Sequence, residues 1–180
     1  MAALTEEEIK LLGPIIEPFA RSKKPPDQKK PKVGEKEIEE FKEFILDGIR
    51  DGKPPQYVFL DENEIEQLKN DPANFRSNNR NAYREKCFLW VIDSTSIKIV
   101  REKTRNRKRT HDPEYVCHTN LTGAGLAFIG GEMFFDKDFN VYVNYFSDRY
   151  GNPSTVQWET AKAYIKSVGY LNLVDILDLL

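Results

Sequence analysis

The spacing of the hydrophobic residues changes near the middle of the chain. Between residues 35 and 51, apolar side chains recur every three or four positions, as in a helix with one buried face: Ile38, Phe41, Phe44, Ile45 and Ile49. Two further helix starts are indicated by the spacing of Thr5 with Glu8 and of Asp61 with Glu64, which is that of capping boxes. The first half of the chain is therefore predicted to be mainly helical.

After residue 83 the apolar residues are mostly β-branched or aromatic and occur in short runs between turn formers, which predicts strands. The predicted strands cover residues 86–93, 97–102, 115–119, 132–136 and 140–145. A turn at 136–140 predicts an antiparallel hairpin, and a helix is predicted from Ser154 to about Gly169. The predicted fold class is α+β, with N-terminal helices followed by a mostly antiparallel sheet of about five strands that a C-terminal helix covers.

Composition excludes several classes of protein. A chain of 180 residues with 39% hydrophobic and 31% charged residues can form a core and is not disordered throughout. Its longest apolar run, residues 88–92, is far shorter than the ~18 residues of a membrane span. The acidic N-terminus has no signal-peptide pattern, and Cys87 and Cys117 form neither a disulfide framework nor a zinc motif. We therefore expect a cytoplasmic protein with no membrane contact, no metal and no other cofactor.

A segment rich in lysine and proline divides the chain into two parts. Residues 21–32 contain Pro25, Pro26 and Pro31 among lysines, a composition typical of a solvated linker. Residues 1–34 are predicted to be an N-terminal helical arm with this linker, and residues 35–180 a single α+β domain. The arm is a candidate surface for a protein partner.

Reactive side chains are concentrated between residues 117 and 151, among five glycines. Histidine, with a pKa of ~6.5, can move protons near neutral pH, and glycines let the backbone approach a ligand. Because these residues lie near the ends of predicted strands, we expect them to meet at one end of the sheet. The candidate catalytic residues are His118, Thr119, Glu132, Ser147, Arg149 and Tyr150.

This set suits the attack of a ribose 2′-hydroxyl on the adjacent phosphodiester without a metal ion. His118 would be the general base and Glu132 its partner or the acid. Arg149 would hold the phosphate, while Ser147, Tyr150 and Thr119 would orient the reacting groups. A basic segment precedes His118 on a chain with a formal net charge of −2, and it is predicted to contact nucleic acid. Its candidate residues are Arg101, Lys103, Arg105, Arg107, Lys108 and Arg109.

Residues 115–176 also resemble a module of uncharacterised bacterial proteins and of plant IQ-motif calmodulin-binding proteins. The resemblance lies in the segments 118–123, 130–133 and 147–150, in Pro153 with Ser154, and in a helix that ends near Gly169. Asp148 and Arg149 stand where the plant pattern has Gly-His, and the chain has no IQ motif, so calmodulin binding is not implied. What the resemblance implies is a shared sheet-and-helix scaffold, and it favours a binding module.

Three functions remain open at this point. The leading hypothesis is a small bacterial-type effector enzyme that acts on nucleic acid or a nucleotide, most concretely a metal-independent ribonuclease of toxin or defence kind. The second is a non-catalytic module that uses the basic segment and the N-terminal arm to bind a protein or nucleic acid. The third is an ADP-ribosyltransferase that uses NAD.

Overall fold

A computed structural model of the protein describes residues 3–19, 46–47, 59–79, 85–102 and 117–179. These residues form an α+β fold in which a six-stranded sheet carries helices on both faces. The predicted class is confirmed: the sheet contains strands at four of the five predicted places, and the segments 59–60 and 173–175 supply the other two. Of the helix predicted at 35–51, only Leu46 and Asp47 are described, and both are helical.

The sheet is mostly antiparallel, with strand order β3-β2-β4-β5-β6. Its strands are β1 (Phe59–Leu60), β2 (Phe88–Ile92), β3 (Ile97–Arg101), β4 (Ile129–Asp136), β5 (Val141–Asn144) and β6 (Leu173–Asp175). The β4–β5 hairpin has the predicted register, with Met133 opposite Val143. Two pairings are parallel: β6 with β5, and β1 with the end of β4 that extends past β2.

One face of the sheet, called here the first face, is covered by two helices, α1 (Glu6–Leu12) and α5 (Thr155–Ser167). The helical period of the sequence buries Trp158, Ala161 and Ile165 of α5 on one face. Trp158 stacks on Trp90 of β2, with ring centroids 6.2 Å apart. This layer of the core is built from apolar and aromatic side chains of β2–β5 and the two helices.

The opposite or second face is covered by shorter helices. These are α2 (Glu62–Asn70), α3 (Phe75–Asn78), α4 (His118–Thr122) and a 3-10 turn (Ile176–Leu179). Each contributes one buried apolar residue to the second core layer, Leu68, Phe75, Leu121 and Ile176 respectively, and Ile65 of α2 also packs against it. Because side chains alternate along a strand, Leu89 and Phe134 face this layer, and Glu132 lies on the same face.

Two of the predicted helix starts have complete capping boxes. The Thr5 side chain accepts a hydrogen bond from the backbone N–H of Glu8, and the Asp61 side chain accepts one from the backbone N–H of Glu64. The carboxylates of Glu8 and Glu64 in turn accept hydrogen bonds from the backbone N–H groups of Thr5 and Asp61. Ser154 caps α5 by accepting from the backbone of Gln157. These ends satisfy backbone donors that a helix cannot satisfy internally.

The predicted strand at 115–119 is wrong for its described part, since α4 begins at His118. Asn120 explains the difference, because its side-chain oxygen accepts a hydrogen bond from the Cys117 backbone N–H at 2.9 Å. The helix ends one turn later, where Gly123 adopts a left-handed conformation with φ 65°. The alternation of apolar residues around Cys117 was thus overridden by local hydrogen bonding.

The described part of the N-terminal arm, residues 3–19, packs against the rest of the chain. Leu12 is buried in the core layer of the first face, and Ile16 exchanges two backbone hydrogen bonds with Ala127. The predicted boundary at residue 34 lies outside the described residues. None of the described helices has both the length and the apolar composition that a bilayer crossing requires.

Candidate functional site

A cavity of about 440 Å³ opens on the second face, between α4, the loop after β5 and the N-terminal arm. The polar side chains that line it include four of the predicted catalytic residues: His118, Glu132, Ser147 and Arg149. Arg76, Glu102, Cys117 and Asp148 line it as well. Thr119 and Tyr150, the other two candidates, do not line this cavity.

His118 is the first residue of α4 and is almost fully buried. Its ring Nε2 lies 2.8 Å from the carbonyl oxygen of Gly131 in β4. A carbonyl oxygen only accepts hydrogen bonds, so Nε2 carries a proton and Nδ1 is the basic nitrogen of the neutral ring. Residue 131 must be glycine here, because a Cβ atom would collide with the Asn144 carbonyl oxygen and the Trp90 ring.

Glu132 follows in β4 and is fixed by its neighbour on β5. Its backbone N–H donates to the side-chain oxygen of Asn144 at 3.1 Å, and the Asn144 amide donates to the Glu132 carboxylate at 3.2 Å. Trp90 donates its ring N–H to the Glu132 carbonyl oxygen at 3.1 Å. The Glu132 side chain, only 4% exposed, is therefore held in one orientation at the cavity wall.

A second buried carboxylate, that of Glu102, shares a cation with Glu132. The Arg76 guanidinium lies 3.1 Å from Glu102 Oε1 and 3.5 Å from Glu132 Oε1. The Arg76 side chain is 59% exposed, whereas both carboxylates are buried. Sequence reasoning missed this group. The one available signal was that Glu102 is the single acidic residue in the basic run from 98 to 109.

The same place contains a set of possible metal ligands. Cys87 Sγ and one carboxylate oxygen each of Glu102 and Glu132 lie within 4.8 Å of one another. Burial, and then the two nearby carboxylates, raises the pKa of the Cys87 thiol well above its ordinary value. The Arg76 guanidinium contacts both carboxylates and already supplies a positive charge there. The chemistry of this donor set fits an ion-pair network better than a metal centre.

Arg149 links the cavity to the N-terminal arm. Its Nη1 donates to the carbonyl oxygen of Phe19 at 2.6 Å, and the Phe19 backbone N–H donates to the Arg149 carbonyl at 2.9 Å. Arg149 is 4% exposed although it carries a charge. The structure thus joins a predicted phosphate-binding residue to a segment 130 residues earlier in the chain, and no motif indicates this contact.

Ser147 and Tyr150 organise the loop after β5. The Ser147 hydroxyl accepts from the backbone N–H groups of Arg149 and Tyr150, at 3.2 and 3.0 Å. The Tyr150 hydroxyl donates to the Gly125 carbonyl at 2.6 Å and also bonds the Thr122 hydroxyl at 2.8 Å. Burial raises the pKa of Tyr150, so its phenol stays protonated at neutral pH. Tyr150 ties this loop to the end of α4.

Thr119 does not line the cavity, and the structure describes the basic segment only at its start. Thr119 is fully buried, with its hydroxyl 3.1 Å from Cys117 Sγ. Of the predicted nucleic-acid contacts, Arg101 is half-buried at the end of β3. The remaining residues of that segment, Lys103, Arg105, Arg107, Lys108 and Arg109, lie outside the described residues.

Comparison of the chain with protein-family models, with curated proteins and with solved structures gave no match. Functional reasoning therefore depends on the chemistry of the cavity. It combines an imidazole with a fixed tautomer, two buried carboxylates and two guanidinium groups, in a space open to solvent. This combination can transfer protons and can bind an anion.

Proposed function

We propose that the protein cleaves RNA without a metal ion and that this cavity is its active site. The supporting observation is that His118, Glu132 and Arg149 line one cavity open to solvent. Its volume of about 440 Å³ falls within the ~300–1,000 Å³ typical of small-ligand sites, which is sufficient for one nucleotide.

His118 would act as the general base. With Nε2 bonded to the Gly131 carbonyl, Nδ1 is the nitrogen that takes the proton from a ribose 2′-hydroxyl. The 2′-oxygen then attacks the adjacent phosphorus, and the bond from phosphorus to the 5′-oxygen breaks. The products are a 2′,3′-cyclic phosphate and a 5′-hydroxyl, so no water or cofactor is consumed in this step.

The leaving 5′-oxygen needs a proton, which the carboxylate pair would supply. Glu102 and Glu132 both contact the Arg76 guanidinium, and the carboxyl group that donates would do so in its protonated form. Glu132 would be the donor, since Asn144 holds its carboxyl group in place. Of the two roles expected for Glu132, partner of His118 or acid, this proposal assigns the acid.

Arg149 and Arg76 would stabilise the charge that develops on the phosphoryl oxygens. Arg149 lines the cavity, and its hydrogen bond to the Phe19 carbonyl holds its guanidinium in place there. Preorganised donors aimed at developing charge typically contribute about 3–4 kcal/mol to lowering the barrier. Ser147 would act indirectly, because its hydroxyl positions the backbone of Arg149.

A second candidate is a binding module without catalysis. The observation in its favour is that both His118 and Arg149 hydrogen-bond protein carbonyl oxygens, as structural side chains commonly do. Under this hypothesis the same cavity binds a nucleotide or a peptide and releases it unchanged.

Incubation of the protein with total RNA in EDTA separates these functions. We expect cleavage that His118→Asn and Glu132→Gln each reduce about 10²–10⁴-fold, while the exposed control Glu66→Gln keeps full activity. Urea unfolding of each variant identifies any loss of activity caused by unfolding. RNA left intact by the wild type, or cut by both variants at the wild-type rate, would exclude the ribonuclease. Consumption of NAD that both substitutions abolish would assign the transferase instead.

A further inference from the structure

Two phenylalanines at the mouth of the cavity are exposed. Large hydrophobic side chains exposed in the described part of the chain include two aromatic ones, Phe19 at 48% and Phe146 at 38%. Both line the cavity that contains His118 and Arg149. An aromatic ring in water forgoes about 1.5–3 kcal/mol of burial, so two such rings at one charged cavity need an explanation.

The structure holds both rings in place. The backbone N–H and carbonyl of Phe19 are both bonded to Arg149. The Phe146 backbone N–H donates to the Asn144 side chain at 2.8 Å. The neighbouring Tyr145 ring meets Phe146 edge-to-face at 6.2 Å and Trp158 of the first face at 5.3 Å. The two phenyl rings are thus presented to solvent by residues that are themselves anchored.

We propose that Phe19 and Phe146 form a stacking platform for an unpaired nucleobase, so that the substrate is single-stranded RNA. This inference rests on the proposed function and specifies its substrate. Every nucleobase has a flat face that stacks on an aromatic side chain, while the attached phosphate is an anion suited to Arg149 and Arg76. In a duplex the base is already stacked and paired, and must be flipped out to reach such a platform.

Binding is measured on an RNA analogue that the proposed mechanism cannot cleave. A fluorescein-labelled 2′-O-methyl hexanucleotide of mixed sequence lacks the nucleophilic 2′-hydroxyl, so fluorescence anisotropy reports affinity alone. We expect it to bind more tightly than an abasic oligomer with the same number of phosphates, and more tightly than a duplex of the same sequence. Equal affinity for the abasic oligomer would overturn the proposal, because charge alone would then explain binding.

Substitutions assign the effect to the two rings. Phe146→Leu and Phe19→Leu are each expected to weaken binding about fivefold to a hundredfold, the range for loss of one stacked base. Phe146→Trp keeps an aromatic ring and should keep the wild-type affinity. Leu126→Ala removes another exposed apolar side chain, 47% exposed, that does not line the cavity, and should leave affinity unchanged. Unchanged affinity in both leucine variants would also overturn the proposal.

The two proposals fail in different ways. RNA that is cleaved normally by both leucine variants leaves the ribonuclease intact and removes the platform. If the wild type does not cleave RNA but binds the 2′-O-methyl analogue, and the leucine variants weaken that binding, the stacking platform is supported and the ribonuclease proposal is excluded.

Discussion

The two faces of the sheet are built differently, although the same strands form both. A 13-residue helix, α5, and α1 cover the first face, and their apolar side chains meet those of the strands. The second face is covered by helices of nine residues or fewer, and the cavity opens among them. A long amphipathic helix closes a sheet face completely, whereas short helices leave gaps that water and a ligand can enter.

The buried charged groups on the two faces are also paired differently. Near α5, the Asp175 carboxylate accepts hydrogen bonds from Trp158 Nε1 and Lys162 Nζ, both at 2.7 Å, and from the Leu177 backbone. On the second face two buried carboxylates share the Arg76 guanidinium. Buried charges that are fully matched support a fold, while closely spaced like charges are typical of sites that handle protons.

The largest effect is expected for Trp90→Ala on the first face. Trp90 is fully buried and stacks on Trp158, so its removal should lower the free energy of unfolding by about 3–5 kcal/mol. Urea denaturation measures this change. Val156→Ala, on the exposed side of α5, should change it by less than about 0.5 kcal/mol. A loss below about 1 kcal/mol for Trp90→Ala would contradict the inference that the packing of Trp90 on Trp158 stabilises the fold.

A smaller effect is expected for Lys162→Met, which removes the cation beside Asp175. Burial lowers the pKa of Lys162, but the hydrogen bonds to Asp175 and Glu159 raise it by more, so the net pKa is raised. At pH 7 the free energy of unfolding of the variant should be about 1–3 kcal/mol lower than that of the wild type, the range for a hydrogen bond between charged groups. A raised lysine pKa stabilises the fold fully below its unfolded value of ~10.4, and this contribution disappears as pH rises through the folded value.

The difference in stability between Lys162→Met and the wild type should therefore narrow above about pH 10.4, the pKa of lysine in an unfolded chain. Equilibrium unfolding in urea at pH 7, 9 and 11 tests this. A difference that stays constant over that range would mean that the methylene chain of Lys162, rather than its charge, is responsible.

The smallest effect is expected from chemical labelling of the two cysteines on the second face. Cys87 is buried and its pKa is raised, whereas Cys117 is half-buried and lines the cavity. At pH 8 we expect a disulfide reagent to modify Cys117 in the folded protein and Cys87 only after unfolding in urea. Mass spectrometry of the labelled peptides identifies each thiol. Rapid labelling of Cys87 would show that the second face opens more widely than its packing indicates.

The sequence predicted those parts of the fold that depend on local patterns. Alternation and a five-residue turn predicted the register of the β4–β5 hairpin, and the capping residues Thr5 and Asp61 marked two helix starts. The α4 helix was mistaken for a strand because its decisive feature, the hydrogen bond from Cys117 to Asn120, leaves no periodic signal in so short a segment.

The candidate site was predictable in part. His118, Glu132 and Arg149 fall within 32 consecutive residues, and their clustering among glycines identified them. Arg76 lies 56 residues before Glu132, in a segment without a recognisable motif, and Phe19 lies 130 residues before Arg149. Contacts over such separations depend on how the elements pack in three dimensions, and a single sequence carries no signal for them.

The hydrogen bonds between Phe19 and Arg149 also determine when the cavity can form during synthesis. Phe19 is synthesised first, and its partner is added 130 residues later. At roughly 5–20 residues per second, translation keeps this wall of the cavity apart for several seconds or more. A nascent chain released before residue 149 would carry His118 and Glu132 without the guanidinium that completes their pocket.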